Sequence, residues 1–309
     1  MTAPDDRLIA PPEERPDPSL SDAREYDPRL GRRKTLGVVF AGLCIAATLV
    51  GVVALVILLW DIVHDGAPAV SADFVASYPS RFPERAGILP ALVGSLWVLV
   101  LTAAVAFPLG VGTAIWLEEY APNNRLRRTI QTNIANLAGV PSIVYGILGL
   151  AVFVRAMAMG RSILAGAMTL ALLILPVIII ASQEAIRAVP SSIRLGAYAL
   201  GATRWQVVSR QVLPMALPGI LTGTILALSR AVGETAPLIV VGAAAFVGFV
   251  PTSVTDAFTV MPIQIFNWIA RPQPGFHERA AGGILVLLIV LLSLNAAAIL
   301  LRNRYSRKW

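Results

Sequence analysis

Histidine and cysteine are nearly missing from this chain. Two His, His64 and His277, and one Cys, Cys44, occur in 309 residues. A single thiol excludes an internal disulfide, and two distant histidines in polar loops do not make a His/Cys metal site. Charge is scarce as well: 14% of the residues are Asp, Glu, Lys or Arg, against about 25% in soluble domains. That shortfall excludes a soluble enzyme, a nucleic-acid-binding domain and a disulfide scaffold. There is no Gly-x4-Gly-Lys-Ser/Thr run to cradle ATP and no His-Glu-x2-His to hold a catalytic zinc. Neither a cofactor nor a metal is expected, and any ATP hydrolysis must come from a separate subunit.

What is present is apolar. Hydrophobic residues make up 56% of the chain, and the mean hydropathy is +0.73. They lie in long runs, which defines an integral membrane protein in contact with lipid. The net charge of +7 and pI near 10.2 then reflect Lys and Arg held on one side of a membrane rather than affinity for nucleic acid.

Residues 1–34 are rich in Asp, Glu and Pro and end in the basic cluster Arg32-Arg33-Lys34. This composition predicts a disordered cytoplasmic tail. The apolar run from Leu36 to Trp60 is longer than a signal-peptide core and starts later, so it is expected to be a membrane span. With the polar connection behind it, it forms a segment 35–88. Five more spans are expected at Leu89–Leu117, Ile130–Val154, Ile163–Ala181, Leu217–Phe246 and Ala280–Leu301. Residues 89–301 would form the transmembrane domain proper, with a polar loop at 183–216, and residues 302–309 a basic tail. No short-period repeat is visible. The expected fold is an all-α polytopic membrane protein with six transmembrane helices.

Basic residues set the expected orientation. Alternate connections hold Arg32, Arg33, Lys34, Arg125, Arg127, Arg128, Arg187, Arg194, Arg204, Arg210, Arg302, Arg304, Arg307 and Lys308, fourteen in all. The other connections hold six: Arg81, Arg85, Arg155, Arg161, Arg271 and Arg279. The positive-inside rule places both termini and the 183–216 loop in the cytoplasm. Trp60, Trp116 and Trp268 fall near the expected interfaces.

The 183–216 loop carries the first motif. It runs Leu195-Gly196-Ala197-Tyr198-Ala199-Leu200-Gly201-Ala202-Thr203-Arg204-Trp205 and reaches Leu213-Pro214. A short helix, a turn at Gly201 and a second helix stopped at Pro214 suit these residues. The loop is either an amphipathic connector on the membrane surface or a docking element for a soluble partner.

Arg230 and Glu234 are the second feature. Arg230 lies about 13 residues into the expected fifth span, or about 20 Å of axial rise, near the bilayer middle. A charge there costs about 2.5–3.5 kcal/mol, and a separation of four puts both side chains on one helix face. The pair is either a buried salt bridge that fixes packing or an anion site or gate on a polar path. Arg suits phosphate because its planar donors engage two oxygens together. Glu can accept the proton that phosphate retains near neutral pH, a donor that sulfate lacks. Pro108, Pro176 and Pro237 interrupt spans and leave carbonyls unpaired, for a path or for simple kinking. Ser142 and Tyr145 offer hydroxyls either to the path or to interhelical hydrogen bonds.

The loop pattern is similar to the "EAA" coupling loop of ABC-importer permeases, Glu-Ala-Ala-x3-Gly-x9-Ile-x-Leu-Pro. Ala197, Gly201, Leu213 and Pro214 fall in register, with Ala202 beside the turn. Leu195 and Gly196 replace Glu-Ala, and Gln211 stands where Ile is usual. Further segments are Gly139-Val140-Pro141-Ser142-Ile143-Val144-Tyr145-Gly146, Arg230-Ala231-Val232-Gly233-Glu234-Thr235-Ala236-Pro237 and Asn267-Trp268-Ile269-Ala270-Arg271-Pro272. Together with the Leu-Arg-Asn-Arg-Tyr close at 301–305, they resemble the A-type membrane permease subunits of phosphate-specific (Pst) ABC importers, over residues 36–309.

The resemblance implies a type I, MetI-like permease in a bacterial cytoplasmic membrane. Its implied partners are a second related permease subunit, a cytoplasmic ATPase dimer and an extracytoplasmic phosphate-binding protein. Its implied cargo is phosphate. The rival readings are a permease for molybdate or sulfate, an intramembrane enzyme built on Arg230 and Glu234, and an inactive assembly scaffold.

Overall fold

A computed structural model describes residues 30–244 and 246–305. The expected tail at 1–29 and the basic residues Arg307 and Lys308 lie outside the described residues. The regular elements among the described residues are all helical, with no strand among them. The chain divides into two compact units, Met1–Leu58 and Leu59–Trp309.

The first helix, α1, runs Leu30–Gly66. It therefore takes in the Arg32-Arg33-Lys34 cluster that the sequence had suggested as the end of a tail. Phe40, Leu43, Leu49 and Ile57 along it are exposed. Such an apolar surface suits lipid or another apolar partner rather than water.

In the second unit, a short helix α2 (Ala72–Ala76), capped by the Ser71 hydroxyl, precedes α3 (Leu89–Ile115). Pro108 sits inside α3, and the helix closes in a wide π turn, Trp116–Tyr120. Next come α4 (Arg125–Ala138), capped by the Asn124 side chain, and α5 (Ser142–Gly149), which widens into a π segment at Leu150–Ala156. α6 (Ile163–Arg187) starts on the Ser162 cap and keeps Pro176 inside it. After α7 (Ser191–Ala199) and α8 (Arg204–Val207), a π turn at Val208–Val212 leads into α9 (Leu213–Val232). α10 (Ala236–Val241), α11 (Met261–Ile269) and α12 (Pro274–Tyr305) complete the fold.

Among the described residues five helices are long and apolar enough to cross a membrane, and the bent pair of α4 with α5 and its π extension makes six when counted as one crossing. The expected third span, Ile130–Val154, is thus not a straight helix. It breaks at Gly139-Val140-Pro141 and bends by 103°, because Pro141 lacks an N–H and restricts the residue before it. The expected fifth span also differs. α9 stops at Val232 instead of continuing to Phe246, and Pro237 opens α10 instead of kinking a span. Proline favours the first turn of a helix, where its missing donor costs nothing.

Pro214 does not stop a helix either. The helix runs through it from Arg204 to Val232, and the π turn at Val208–Val212 sits where a proline ring would meet the preceding carbonyls. Trp268 is fully buried in the protein. It packs with Phe74, whose ring centroid is 5.8 Å away, and with Phe276 in a cluster that joins α2, α11 and α12. Burial of each such ring from water is worth about 1.5–3 kcal/mol.

α6 is the hub of the second unit, with residues such as Ile174 and Ile178 buried in the central core. A second cluster around Leu117, Ile186, Val207 and Ile220 holds together the end of the bundle that carries α7 and α8.

Candidate functional site at a broken helix, and a docking loop

At the break between α4 and α5 the Tyr145 hydroxyl donates to Leu137 O at 2.9 Å, a carbonyl that also accepts the Val140 N–H at 3.1 Å. Tyr145 is thereby engaged in closing the break. Leu137, Ala138, Val140 and Tyr145 share a small cavity with Leu173, Ile174 and Val177 of α6 and with Ala227 and Arg230 of α9. Residues 173–177 are mid-length in α6, so the break and Arg230 meet halfway along the bundle. The helix that carries Arg230 ends there.

Arg230 occupies the last turn of α9. Its Nε donates to Glu234 Oε1 at 3.3 Å across the helix end. The Arg230 side chain is 61% exposed and that of Glu234 16%. A cation suits this place, because the C-terminal ends of α4 and of α9 itself both carry partial negative charge. Gly146 of α5 packs so closely on α10 that a Cβ there would lie 2.7 Å from Pro237 Cα. α5 and α10 are thereby held together just beyond the charged pair in the chain. Ser142 opens α5 and is partly buried, but it does not line the cavity that Tyr145 and Arg230 share.

The loop residues form a separate constellation. α7 ends in a Schellman motif: Ala202 N–H donates to Ala197 O at 3.1 Å, and Gly201 N–H to Tyr198 O at 2.9 Å. Gly201 takes φ +78°, a conformation natural to glycine. Thr203 and Gln206 then form a reciprocal capping box that starts α8. The turn leaves Leu195, Tyr198, Leu200 and Trp205 exposed, Leu200 at 90%. Gly196 and Pro214 are exposed beside them, and Ala197, Ala202 and Leu213 are partly buried against the cluster that holds α7 and α8. At the Leu195 position an apolar side chain thus points outward.

Two acids that no motif singles out lie beneath this loop. Glu118 accepts from Arg187 at 2.6 Å, Gln183 at 2.7 Å and Arg127 at 3.2 Å. Glu119 accepts from Arg194 Nε at 3.1 Å and from its terminal nitrogen at 2.9 Å. Both carboxylates are only 8% exposed. A Glu-Glu pair closing an apolar run, with arginines in neighbouring loops, was the available signal. Positive-inside counting had used those arginines without giving them partners.

A bundle of membrane-length helices, broken at mid-height beside an Arg–Glu pair and ending in an exposed apolar loop, defines the architecture of a transport permease subunit. The comparisons agree. Residues 106–309 match the model of the family described as "Binding-protein-dependent transport system inner membrane component", and the chain belongs to that family. It is 33% identical over 291 residues to the phosphate transport system permease protein PstA 1 of Mycobacterium tuberculosis H37Rv, covering 92% of each chain. It is 35% identical to the probable ABC transporter permease protein YqgI of Bacillus subtilis, covering 83% of this chain and 90% of that one.

Among solved structures, a bacterial ABC transporter involved in alginate import superposes with a TM-score of 0.62 at 18% identity, covering 89% of this chain and 98% of that one. The inward-facing MetNI methionine ABC transporter superposes with a TM-score of 0.56 at 20% identity, covering 69% and 95%. The fold is that of a type I, MetI-like ABC-importer permease.

Proposed function

We propose that this chain is the phosphate-translocating permease subunit of an ATP-driven ABC importer, paired in the membrane with a second related permease subunit. The observation that carries the reading is Arg230. It is a cation halfway along a membrane bundle, largely exposed, beside the break in a helix. An arginine at that depth cannot face lipid without a large cost. It requires either a partner subunit or a polar path, and a path along a subunit interface supplies both. Arg230 then engages phosphate oxygens, Glu234 accepts the proton of the hydrogen phosphate, and Ser142 and Tyr145 flank the way. Broken helices at mid-depth are the usual means of building such sites in transporters.

On this reading the 183–216 loop faces the cytoplasm, and both termini lie on that side. A cytoplasmic ATPase dimer docks on the surface made by Leu195, Gly196, Ala197, Gly201, Ala202, Leu213 and Pro214 and on their exposed apolar neighbours. A phosphate-binding protein delivers cargo to the opposite face. The transmembrane domain at 89–301 does the transport, residues 35–88 supply a first span and an external loop, and 1–34 and 302–309 are cytoplasmic tails. The names of the Mycobacterium tuberculosis and Bacillus subtilis relatives support the phosphate cargo and the ATP-driven class. Phosphate uptake by the reconstituted complex, with competing sulfate and molybdate, is the test. ATP-dependent uptake unaffected by excess sulfate is expected. Equal uptake of all three anions overturns the cargo assignment, and no uptake of any overturns the transport role.

A further inference from the structure

The residues Glu118-Glu119-Tyr120 occupy a single π turn, yet they reach four other elements. Glu118 binds Gln183 and Arg187 at the end of α6 and Arg127 on α4. The Tyr120 ring lies under the Arg204 guanidinium of α8, at 5.1 Å. Glu119 alone reaches α7, through Arg194. Arg194 is itself shared. It donates to Glu119 and also to Ile186 O in the last turn of α6, at 2.9 Å, and to Val189 O just past that helix, at 2.6 Å. One guanidinium thus ties the docking helix to the ends of α3 and α6 together.

Those two helices are the ones that flank the Arg230 region. Leu173, Ile174 and Val177 of α6 line the cavity with Arg230, while Ser95, Val98 and Thr102 of α3 line one with Ala231 and Val232. An exposed ion pair is a weak tie. This one is buried, with the Glu119 side chain 8% and the Arg194 side chain 20% exposed, and its charge-assisted hydrogen bonds are directional. The rest of α7 offers no comparable tie. Two of its large side chains, Leu195 and Tyr198, point outward, and the third, Ile193, is partly buried.

We propose that Glu119, acting through Arg194, is a positioning residue for coupling: it locks the docking helix α7 to α3 and α6, so that displacement of the loop is passed to the spans around Arg230. This rests on the docking reading given above. Glu119 touches neither nucleotide nor phosphate. Its role differs from that of Gly201, which shapes the docking surface itself.

The test uses the whole complex in proteoliposomes, with Glu119→Gln and Glu119→Asp. Three quantities are read: retention of the ATPase on purification, its stimulation by the phosphate-loaded binding protein, and phosphate moved per ATP hydrolysed. For Glu119→Gln the ATPase stays bound, while stimulation and phosphate per ATP fall by about tenfold, the factor for a charged hydrogen bond lost from one of two states. Glu119→Asp, which keeps the charge on a shorter arm, falls between Gln and wild type.

Normal stimulation and stoichiometry in a stably assembled Glu119→Gln complex overturn the proposal. If Glu119→Gln fails to assemble, Glu119→Asp decides: reduced phosphate per ATP with the ATPase retained supports it, and normal coupling or loss of the ATPase overturns it. Leu200→Asp tests the docking reading separately. If the ATPase stays bound to that variant, the docking surface is wrong, whatever Glu119 does.

Discussion

Gly219 of α9 stands against Ala185 of α6 so closely that a Cβ on the glycine would lie 2.8 Å from the alanine methyl. One turn further on, Gly223 meets Ala181 in the same way, more tightly still. The four small residues form two matched steps, and they let the helix that carries Arg230 lie directly on the central helix of the bundle. Small residues at a spacing of four are the usual way for membrane helices to approach this closely.

Gly223→Val therefore forces α9 away from α6. Overpacking of this kind costs about 1–3 kcal/mol. The thermal midpoint of the purified subunit should drop, and Gly112→Val, where nothing lies within 4 Å of the added carbon, should leave it nearly unchanged. An unaltered midpoint for Gly223→Val would mean that the two helices are not in this register.

The Gly201 turn gives a second prediction. Its φ of +78° costs a β-branched residue about 1–3 kcal/mol. No neighbour lies within 4 Å of a Cβ placed there, so the effect is one of backbone conformation alone. Gly201→Val should insert normally and lose transport-linked ATP hydrolysis. Gly201→Asn, which tolerates the left-handed region better, should retain more of it. Equal, wild-type hydrolysis in both would argue for a loop that docks nothing.

The charged pair separates its two roles through a double substitution. If Arg230 and Glu234 only neutralise each other, Arg230→Gln/Glu234→Gln should recover what either single change loses. On the proposed role the double variant assembles yet transports little. Arg230→Lys is also poor, because a point charge cannot reproduce a two-oxygen contact, and Glu234→Gln loses discrimination against sulfate. Near-normal phosphate uptake by the assembled double variant would leave the pair a packing device.

Asp256 supplies a pH-dependent prediction. Its carboxylate accepts the backbone N–H groups of Ser253 and Thr252, each at 2.9 Å. These bonds, that from Ser253 first, hold its pKa below the ordinary aspartate value. The same loop seats the start of α6, where Ile163 N–H donates to Asp256 O and Leu164 N–H to Val254 O. A depressed folded pKa gives stabilisation that is fully present above the unfolded value of about 3.9 and is lost as pH falls through the lower folded one. Amide exchange at Ile163 and Leu164, corrected for intrinsic rates, should lose protection on acidification in this range. In Asp256→Asn the protection should be lower and independent of pH.

The inferred orientation is tested directly. Reporters fused at residue 20 and at residue 309 should both be cytoplasmic, and an external C-terminal reporter would mean that the bent α4–α5 pair does not cross the membrane.

The sequence by itself determined the class of the protein. Scarce charge and long apolar runs leave little alternative to a helical membrane bundle, because unpaired backbone polar groups are too costly in lipid. It also located the Gly201 turn, since a positive φ selects glycine, and the Arg230–Glu234 pair, since charges within a span stand out against apolar neighbours.

The tertiary structure decided where the helices stop and what the polar groups touch. Hydropathy averages over a window and is blind to a 103° bend at Gly139-Val140-Pro141, because the residues on both sides of the break are equally apolar. Local rules gave Pro214 as a helix stop, but a π turn absorbs the ring and the helix continues. The Tyr145 hydroxyl is offered by the sequence either to a path or to an interhelical hydrogen bond, and only the structure names its partner, Leu137 O across the break. The Glu119–Arg194 tie joins residues 75 positions apart. No local pattern specifies such a contact, because it exists only once α3, α6 and α7 have been brought to the same end of the bundle by the packing of apolar residues distant from either charge.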